Sequence, residues 1–431
     1  MRVLVTHPGR QHSHQAALGL ERAGMLAGYW AGVPAVAEQA RRLPAWLRRR
    51  FARYSPVPLD PRRVRWFPAA PALRRSGDAL LPPGGAARVD LLACRLFDRW
   101  AAAGLADAAV DAVIACEISA LATFRAARRL GIATILDAPS LHHAAQDRLH
   151  GTTDPPGLHR RIVRIKDREI ALADHVLTVS GLARDTYLAA GVPAERVHAL
   201  PLGADLELFT PDPVKPHPAD PATSADPADP AFTADPAAAA AAGPGDRDEA
   251  DGFLFVFCGA TIRRKGFDLL LAAFDRVAAE LPAARLRVVG PRGDAAGLLA
   301  GRDGARVTAT GPVGQPELAA ELRRADCLVL PSRNDSYGMV VAEALACGLP
   351  VLVSDMVGAG ELVTPGRNGW IVPAGDAAAL AERMAWCVRH VATVRGMREQ
   401  CRASAAAATW PAYHRRLAEL LRAILPAKAA A

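Results

Sequence analysis

The sequence predicts an α/β protein made of two Rossmann-like domains, each built on a parallel sheet. Short apolar runs rich in β-branched residues recur along the chain, and a helical pattern follows each of them. Hydrophobicity within the runs is continuous and does not alternate, which is typical of strands buried on both faces beneath helices. A stretch dominated by alanine, proline and aspartate separates the runs into two groups. Such a stretch cannot bury enough apolar surface to order itself, so it predicts a disordered linker between two domains.

Nine runs are predicted as strands, at residues 2–6, 111–116, 133–138, 175–180, 253–259, 285–290, 306–311, 326–332 and 350–355. We predict a first domain over 1–205, a linker over 206–252, a second domain over 253–405 and a final helical segment over 406–431. In open α/β folds, ligands bind beyond the carboxyl ends of the strands. We therefore expect both sheets to direct those ends toward a cleft between the domains.

Composition narrows the class of protein. The chain has 431 residues, a formal net charge of +8 and a pI near 9.4, which suits an anionic partner. No apolar run reaches the roughly 20 residues of a membrane span, and the first residues lack the features of a secretory signal. The seven cysteines are dispersed without a C-x-x-C pair, which indicates reduced thiols. We expect a cytoplasmic protein, and no nucleic-acid-binding motif is found.

The stretch SRNDSYGMVVAEALACGLPV, residues 332–351, contains the most informative polar residues. A helix predicted to begin near Gly338 would direct the backbone N–H groups of Tyr337, Gly338 and Met339 toward an anion such as phosphate. Glu343 lies about one turn further on, in an apolar run where a carboxylate is costly to bury unless it binds something. Its oxygens suit two hydroxyl hydrogens, such as those of a ribose. The competing interpretation is that Asp335 caps the helix and Glu343 pairs with an arginine.

A second anion site is predicted at the turn FCGATIRRKGFD. Gly259 ends a strand there, and Arg263, Arg264 and Lys265 precede Gly266 and an amphipathic helix. A solvated basic turn is the alternative, but lysine is rare in this chain. Glu361, in GAGELVTPGRNGWIV, is a weaker candidate for contact with a sugar or base.

These motifs together resemble the retaining family 4 of glycosyltransferases, which have the GT-B fold. The resemblance is closest from Phe253 to about Ala374. It comprises a strand glycine followed by Lys-Gly, then P-S, a helix-start glycine, E-A, G-x-P-V, G-x-x-E and G-x-x-G. A weaker match upstream ends in a G-x-D…F-x-P pattern at Gly203–Pro211. The last segment resembles the helix that returns to the first domain.

The resemblance implies a nucleotide-sugar donor, no cofactor and no metal. It implies that Lys265 and an arginine, provisionally Arg263, bind the diphosphate beside Gly259, and that the backbone at Tyr337-Gly338-Met339 caps it. Glu343 would bind the ribose, and Asp335 would hold the transferred sugar. The chain departs from the family pattern in Asp335, one methylene shorter than the usual glutamate, in Ala260, where the family has arginine, and in Leu202, where asparagine is common.

The first domain resembles the family only in general layout. Its first loop, THPGRQHSH, offers Gly9, Arg10 and His12 as residues that contact the acceptor or the diphosphate. The spacing of the histidines there does not fit a tetrahedral metal site. Asp137 stands where many relatives carry a histidine near the reacting bond, so it is a candidate catalytic residue. His142 and His143 are candidates for orienting the acceptor, and an exposed helix start is the equally weighted alternative.

Residues 41–54, RRLPAWLRRRFARY, combine arginines with apolar residues at helical spacing. This pattern suits peripheral contact with an anionic membrane. A helix packed on its own domain with a solvated basic face is the competing interpretation.

The predicted function is transfer of a sugar from a nucleotide-diphosphate donor to a glycan or lipid-linked acceptor, in cell-surface polysaccharide or glycolipid synthesis. Two alternatives are a GT-B sugar-nucleotide epimerase or hydrolase, which would form product without an acceptor, and an inactive nucleotide-sugar-binding protein. The presence of Lys265 and Glu343 disfavours the inactive protein.

Overall fold

A computed structural model describes residues 1–36, 39, 57–151, 155–211, 252–302 and 304–425. They form two compact units, the first from residues 1–202 and 410–431 and the second from residues 203–409. The segment 41–54 and nearly all of the predicted linker lie outside the described residues.

The first unit contains a seven-stranded sheet in the order β3-β2-β1-β4-β5-β6-β7, with every neighbouring pair parallel. Its strands are β1 (Val3–His7), β2 (Leu26–Ala31), β3 (Val64–Trp66), β4 (Ala112–Cys116), β5 (Ala133–Ala138), β6 (His175–Thr178) and β7 (Val197–Ala199). Most side chains of β1, β4, β5 and β6 are buried, as their continuous hydrophobicity predicts.

The helices of the first unit, numbered over the described residues, are α1 (Ser13–Arg22), α2 (Ala69–Leu80), α3 (Pro83–Gly104), α4 (Leu121–Arg129), α5 (His143–His150), α6 (Pro156–Leu172) and α7 (Gly181–Ala189). A last helix, Trp410–Ile424, packs against α1 within the same unit. We label it α14. The main core cluster of this unit joins residues of the central strands, such as Leu136, to helical residues such as Phe124.

The second unit contains a six-stranded parallel sheet in the order β10-β9-β8-β11-β12-β13. Its strands are β8 (Phe253–Cys258), β9 (Ala284–Val289), β10 (Val307–Gly311), β11 (Cys327–Leu330), β12 (Val351–Ser354) and β13 (Gly369–Val372). Its helices are α8 (Phe267–Glu280), α9 (Gln315–Arg324), α10 (Met339–Ala346), α11 (Ala377–Arg389), α12 (Val391–Gly396) and α13 (Arg398–Ala405).

All nine predicted strands are present, and the α/β prediction is confirmed. One expectation was wrong: β10 is half-exposed, because it forms the edge of its sheet and has a neighbour on one side only. Four strands were missed, β2, β3, β7 and β13. They are short or contain glycine, so they lack the run of β-branched residues on which the prediction depended.

None of the described helices is long and apolar enough to cross a membrane.

Candidate functional site

The first group of candidate residues lies at the carboxyl edge of the second sheet. Strands β8 and β11 are neighbours there, so the loops that follow them meet although they lie far apart in sequence. Lys265, after β8, donates its ammonium group to Oδ2 of Asp335, after β11, and the two residues are 70 positions apart. Asp335 is buried and the Lys265 side chain is 19% exposed. The structure thus brings together two residues that the sequence treated as separate signals.

Several contacts hold these two loops together. Arg333 donates to both carboxylate oxygens of Asp268 at 2.7 and 2.9 Å, and its backbone N–H donates to the carbonyl of Arg264. Burial alone would raise the pKa of Asp268, but the hydrogen bonds and charge of Arg333 lower it. Because the bidentate pair fixes both loops, the Lys265 ammonium has a defined position.

Gly266 permits this close packing. Its φ of +68° is left-handed, and a Cβ at this position would lie 1.9 Å from the carbonyl oxygen of Pro331. Only glycine satisfies both conditions without displacing the backbone. The turn that carries Lys265 therefore depends on the glycine that follows it.

The two neighbouring arginines occupy different positions. The Arg263 side chain is 64% exposed, and its guanidinium lies 3.4 Å from Asp268. Arg264 donates to the backbone carbonyl of Asn334 at 3.2 Å. The turn therefore gathers positive charge from Arg263, Arg264 and Lys265 beside the loop of Asp335.

Gly259 directly follows β8, and its N–H donates to the carbonyl of Val289. A Cβ on Gly290, the residue after β9, would lie 2.2 Å from the Gly259 carbonyl oxygen. The ends of these two strands thus approach closely, and neither backbone carries a Cβ at the contact.

Gly338 is the N-cap of α10, as the sequence predicted for the helix start, and its φ is +85°. A Cβ there would lie 2.8 Å from a methyl group of Val357. The first amides of a helix have no partner within the helix and carry its positive dipole end. The capping alternative for Asp335 does not hold, because no side chain caps α10. Tyr337 and Met339 flank Gly338 at this helix start.

Glu343 lies within α10 and is 5% exposed. Burial raises the pKa of its carboxyl from 4.5 to about 7. The alternative prediction paired it with an arginine, but among the described residues no cation lies within ion-pair distance of this carboxylate. A buried carboxylate without a charge partner is costly in the free protein. Such a group is typical of a ligand site.

Asn334 was missed by the sequence analysis. It is 4% exposed, and its side-chain Nδ2 has no hydrogen-bond partner within the described part of the chain. It lies directly before Asp335, and its carbonyl accepts from Arg264. The only available signal was a polar side chain between a buried strand and a helix.

The second group of candidates lies in the first unit. His12 and Asp137 form a buried pair, with His12 Nε2 3.0 Å from Asp137 Oδ1. Burial alone would lower the pKa of His12, but the charge and hydrogen bond of Asp137 raise it. Burial would likewise raise the pKa of Asp137, and His12 lowers it. The pair borders a cavity of about 10 Å³, enough for one water molecule.

Gly9 and Arg10 belong to the loop that leads to this pair. The N–H of Gly9 donates to Nδ1 of His7 at 2.8 Å, and the carbonyl of Arg10 accepts from the backbone and hydroxyl of Ser13. Burial lowers the pKa of His7 to about 4, so its ring is neutral at pH 7.

His142 does not join the His12–Asp137 pair. It is the N-cap of α5, where its Nδ1 accepts from the amide of Ala144 at 3.2 Å. The alternative prediction was an exposed helix start, but His142 is 7% exposed. Its ring lies 4.0 Å from that of His143, which pairs with Asp167.

Within the described ranges, one trio has donor atoms close enough for a metal ion: His142, His143 and Asp167 lie within 4.8 Å of one another. His142 and His143 lie at the N-terminus of α5, whose dipole disfavours a cation. Lys166, the residue before Asp167, adds a positive charge nearby. We assign no metal to it.

A buried ion pair near the end of β4 was also missed. Glu117 accepts from Lys166 at 3.1 Å and from the hydroxyl of Ser140 at 2.5 Å. The rarity of lysine in this chain was noted for Lys265 but could equally have drawn attention to Lys166.

Part of the chain matches a known family of proteins. Residues 252–390 match the family described as "Glycosyl transferases group 1". The chain is 30% identical over 266 residues to "D-inositol 3-phosphate glycosyltransferase 1" of Catenulispora acidiphila. The alignment covers 56% of this chain and 55% of that protein. The alignments span about half the length of the relatives they match.

Solved structures share the fold. A sucrose-phosphate synthase from Thermosynechococcus elongatus has a TM-score of 0.68 at 22% identity, over 98% of this chain and 99% of that one. Anabaena HepE in complex with UDP has a TM-score of 0.62 at 15% identity, over 98% and 100%. The predicted GT-B fold and the group 1 resemblance are confirmed, and assignment to family 4 remains a prediction.

Proposed function

We propose that this chain, whose residues 252–390 match the group 1 glycosyltransferases, transfers a sugar from a nucleotide-diphosphate donor to a glycan or lipid-linked acceptor. The observation that carries the proposal is Glu343. It is a buried carboxylate without a charge partner among the described residues, one turn into a helix whose start lies beside the Lys265–Asp335 pair. A donor nucleotide offers the missing partners, because its ribose hydroxyls donate hydrogens and its diphosphate is anionic.

Each side chain then has a role in holding the donor. Lys265, Arg263 and the amides near Gly338 and Met339 bind the diphosphate, and Glu343 accepts from the ribose. Asp335, paired with Lys265, is positioned to accept from hydroxyls of the transferred sugar. Glycines 259 and 338 leave room for the ligand to approach the backbone.

The proposed reaction breaks the bond between the sugar and the diphosphate. Negative charge develops on the departing diphosphate, where fixed cations and helix amides stabilise it. Because Lys265 and Arg263 already supply positive charge, we propose that transfer needs no metal ion. We also propose retention of configuration at the sugar carbon, a property implied by the family resemblance.

The relatives indicate which substrates to test first. Anabaena HepE was crystallised with UDP and with UDP-glucose, so UDP-sugars are the first donors. Several relatives bear the name D-inositol 3-phosphate glycosyltransferase, so inositol 3-phosphate is the first soluble acceptor. On the acceptor side, the His12–Asp137 pair and the loop of Gly9 and Arg10 are the proposed contacts.

The test is calorimetric titration of the purified protein with UDP-, GDP- and ADP-glucose, with and without EDTA, followed by a transfer assay. Selective binding of one donor that survives EDTA, and acceptor-dependent release of the nucleoside diphosphate, support the proposal. Release at the same rate without acceptor would indicate a hydrolase or an epimerase. Failure of all donors to bind would contradict the donor site itself.

A further inference from the structure

A groove in the first unit lies apart from the residues discussed so far. It runs between α3 (Pro83–Gly104) and α6 (Pro156–Leu172) and has a volume of about 400 Å³. Leucines from both helices line it: Leu91, Leu92 and Leu96 from α3 and Leu158 from α6. Leu91 and Leu158 are also buried in a hydrophobic cluster with Ile165, so the base of the groove is apolar and packed.

Arginines form the walls of this groove. Arg88, Arg95 and Arg99 project from α3, and Arg161 projects from α6. None of these four is in an ion pair with a carboxylate within the described part of the chain. Burial lowers the pKa of the Arg95 guanidinium, and the like charges of Arg161 and Arg99 lower it further. The groove therefore concentrates positive charge that forms no ion pair among the described residues.

The carboxylates on the same helices are engaged elsewhere. Asp98 is buried and accepts from the amides of Ala122 and Thr123 at the start of α4. Asp90 pairs with Arg74 at 2.5 Å. Both acids are held by these partners, and the charge of Asp98 offsets only part of the positive charge at Arg95.

An exposed apolar side chain completes the surface. Leu92 is 49% exposed although it lies next to the buried Leu91. A strip of arginines around exposed and half-buried leucines matches an amphiphile with an anionic head and a hydrocarbon body. Nucleic acid matches the charge but gives the leucines no role, since single strands stack on aromatic rings.

We propose that this groove binds the anionic phospholipid headgroups of a bilayer surface, with Leu92 entering the interface. Arginines bind phosphate oxygens through two N–H groups at once. Each basic side chain near an anionic bilayer strengthens binding by about fivefold. Leu92 adds burial in the headgroup region, as on amphipathic helices that lie on membranes. The proposal does not depend on the donor chemistry.

The test is sedimentation of the full chain with vesicles of phosphatidylglycerol and phosphatidylcholine. The variant R88Q/R99Q removes two exposed groove arginines and leaves Arg95 and Arg161 in place. The matched control R276Q/R415Q removes two exposed arginines outside the groove, so both variants lose the same net charge. Thermal unfolding of each variant verifies that the fold is intact.

We expect R88Q/R99Q to lower partition into phosphatidylglycerol vesicles by about 25-fold, and the control to change it by about twofold or less. Equal losses in the two variants would show that net charge alone drives binding and would overturn the proposal. So would equal binding of the unmodified protein to phosphatidylcholine vesicles.

A second pair of variants tests the apolar part. Leu92→Ser is compared with Leu130→Ser, because these leucines are 49% and 47% exposed. We expect only Leu92→Ser to weaken vesicle binding. If neither does, while a DNA oligonucleotide competes with the vesicles, the groove is a polyanion site and the lipid assignment is wrong.

Discussion

The ammonium of Lys265 is paired with the carboxylate of Asp335 across two loops that follow neighbouring strands of the second sheet. The pair lies beside a helix start formed by a left-handed glycine, Gly338. One turn further in lies Glu343, a buried carboxylate without a charge partner in the described residues. The free protein thus holds a cation, the first amides of a helix and a buried carboxylate, which are the groups to which the proposed function assigns the donor.

Replacement of Lys265 by alanine should reduce turnover about 10²- to 10³-fold, because it removes one fixed charge from the departing diphosphate. The measurement is kcat with the donor found by titration. Arg276→Ala, at an exposed position of α8, is the control and should keep full activity. Turnover within about threefold of the unmodified protein would refute the role of Lys265.

The extent to which the sequence predicted this site has a physical explanation. Lys265, Gly338 and Glu343 are candidates from the sequence because each breaks a local pattern: a rare lysine, a glycine at a helix start and a carboxylate in an apolar run. The pairing of Lys265 with Asp335 was not predicted, because it depends on which strands are neighbours in the sheet. Asn334 and Lys166 were missed for the same reason, since only the fold shows that both are buried and that Lys166 pairs with Glu117.

The same limit applies to the strands. The prediction located β5 over its full length, Ala133–Ala138. Its short apolar run with β-branched residues is typical of a buried strand. It missed β2, with the sequence LAGYWA. This segment is a strand because it pairs with β1 and β3. Side-chain pattern is a local property, whereas the register of a parallel strand is set by distant residues.

Glu343→Gln should weaken donor binding about tenfold or more, because ribose hydroxyls lose a charged acceptor. The pH dependence follows from the pKa of Glu343, which burial raises to about 7. The ionised form is the acceptor, so donor affinity should rise between pH 6 and pH 8 in the unmodified protein. The variant should show a flatter profile. Calorimetric titration at both pH values measures this, and parallel profiles would exclude the ribose contact.

The same substitution should stabilise the protein in the absence of donor. An unfolded chain releases this proton near pH 4.5, whereas the folded one releases it near 7. Between these values the folded state binds more protons, so stability falls as pH rises and is lower by about 3 kcal/mol above pH 7. Glu343→Gln removes that loss. We expect a gain approaching about 3 kcal/mol at pH 8 and less than about 1 kcal/mol at pH 5.

Denaturant unfolding at both pH values measures this gain, and Glu317→Gln, at an exposed position of α9, is the control. A loss of stability at pH 8 would show that Glu343 has a stabilising partner within the protein. Stability and donor binding should thus respond in opposite directions to one substitution.

Gly266→Ala should impair the donor site without touching a charged group. The turn forces the new alanine into a left-handed conformation, which costs about 1–2 kcal/mol of stability. It also places the alanine methyl group against the Pro331 carbonyl. The turn must shift, so Lys265 loses its position and kcat should fall more than KM rises. Gly297→Ala is the control, because a Cβ there meets no atom within 4 Å. Equal effects of the two substitutions on kcat would show that the close packing at Gly266 is irrelevant to catalysis.

The His12–Asp137 pair can be tested through its titration. The pKa of His12 is raised in the folded state, so its contribution to stability is complete below 6.5 and is lost as pH rises through the folded pKa. The pKa of Asp137 is lowered, so its contribution is present above 3.8 and is lost as pH falls through the folded pKa. The pair should therefore stabilise the protein most between these two values.

Asp137→Asn should lower the pKa of His12 below 6.5, because burial then acts without the opposing charge. It should also destabilise the protein by about 3–5 kcal/mol near pH 5.5, as expected when a buried pair loses one partner. Histidine ring NMR follows the pKa, with His198 as an internal reference outside the pair. An unchanged His12 titration would show that the imidazole and the carboxylate are not coupled, and a destabilisation that grows with pH would contradict the assigned protonation states.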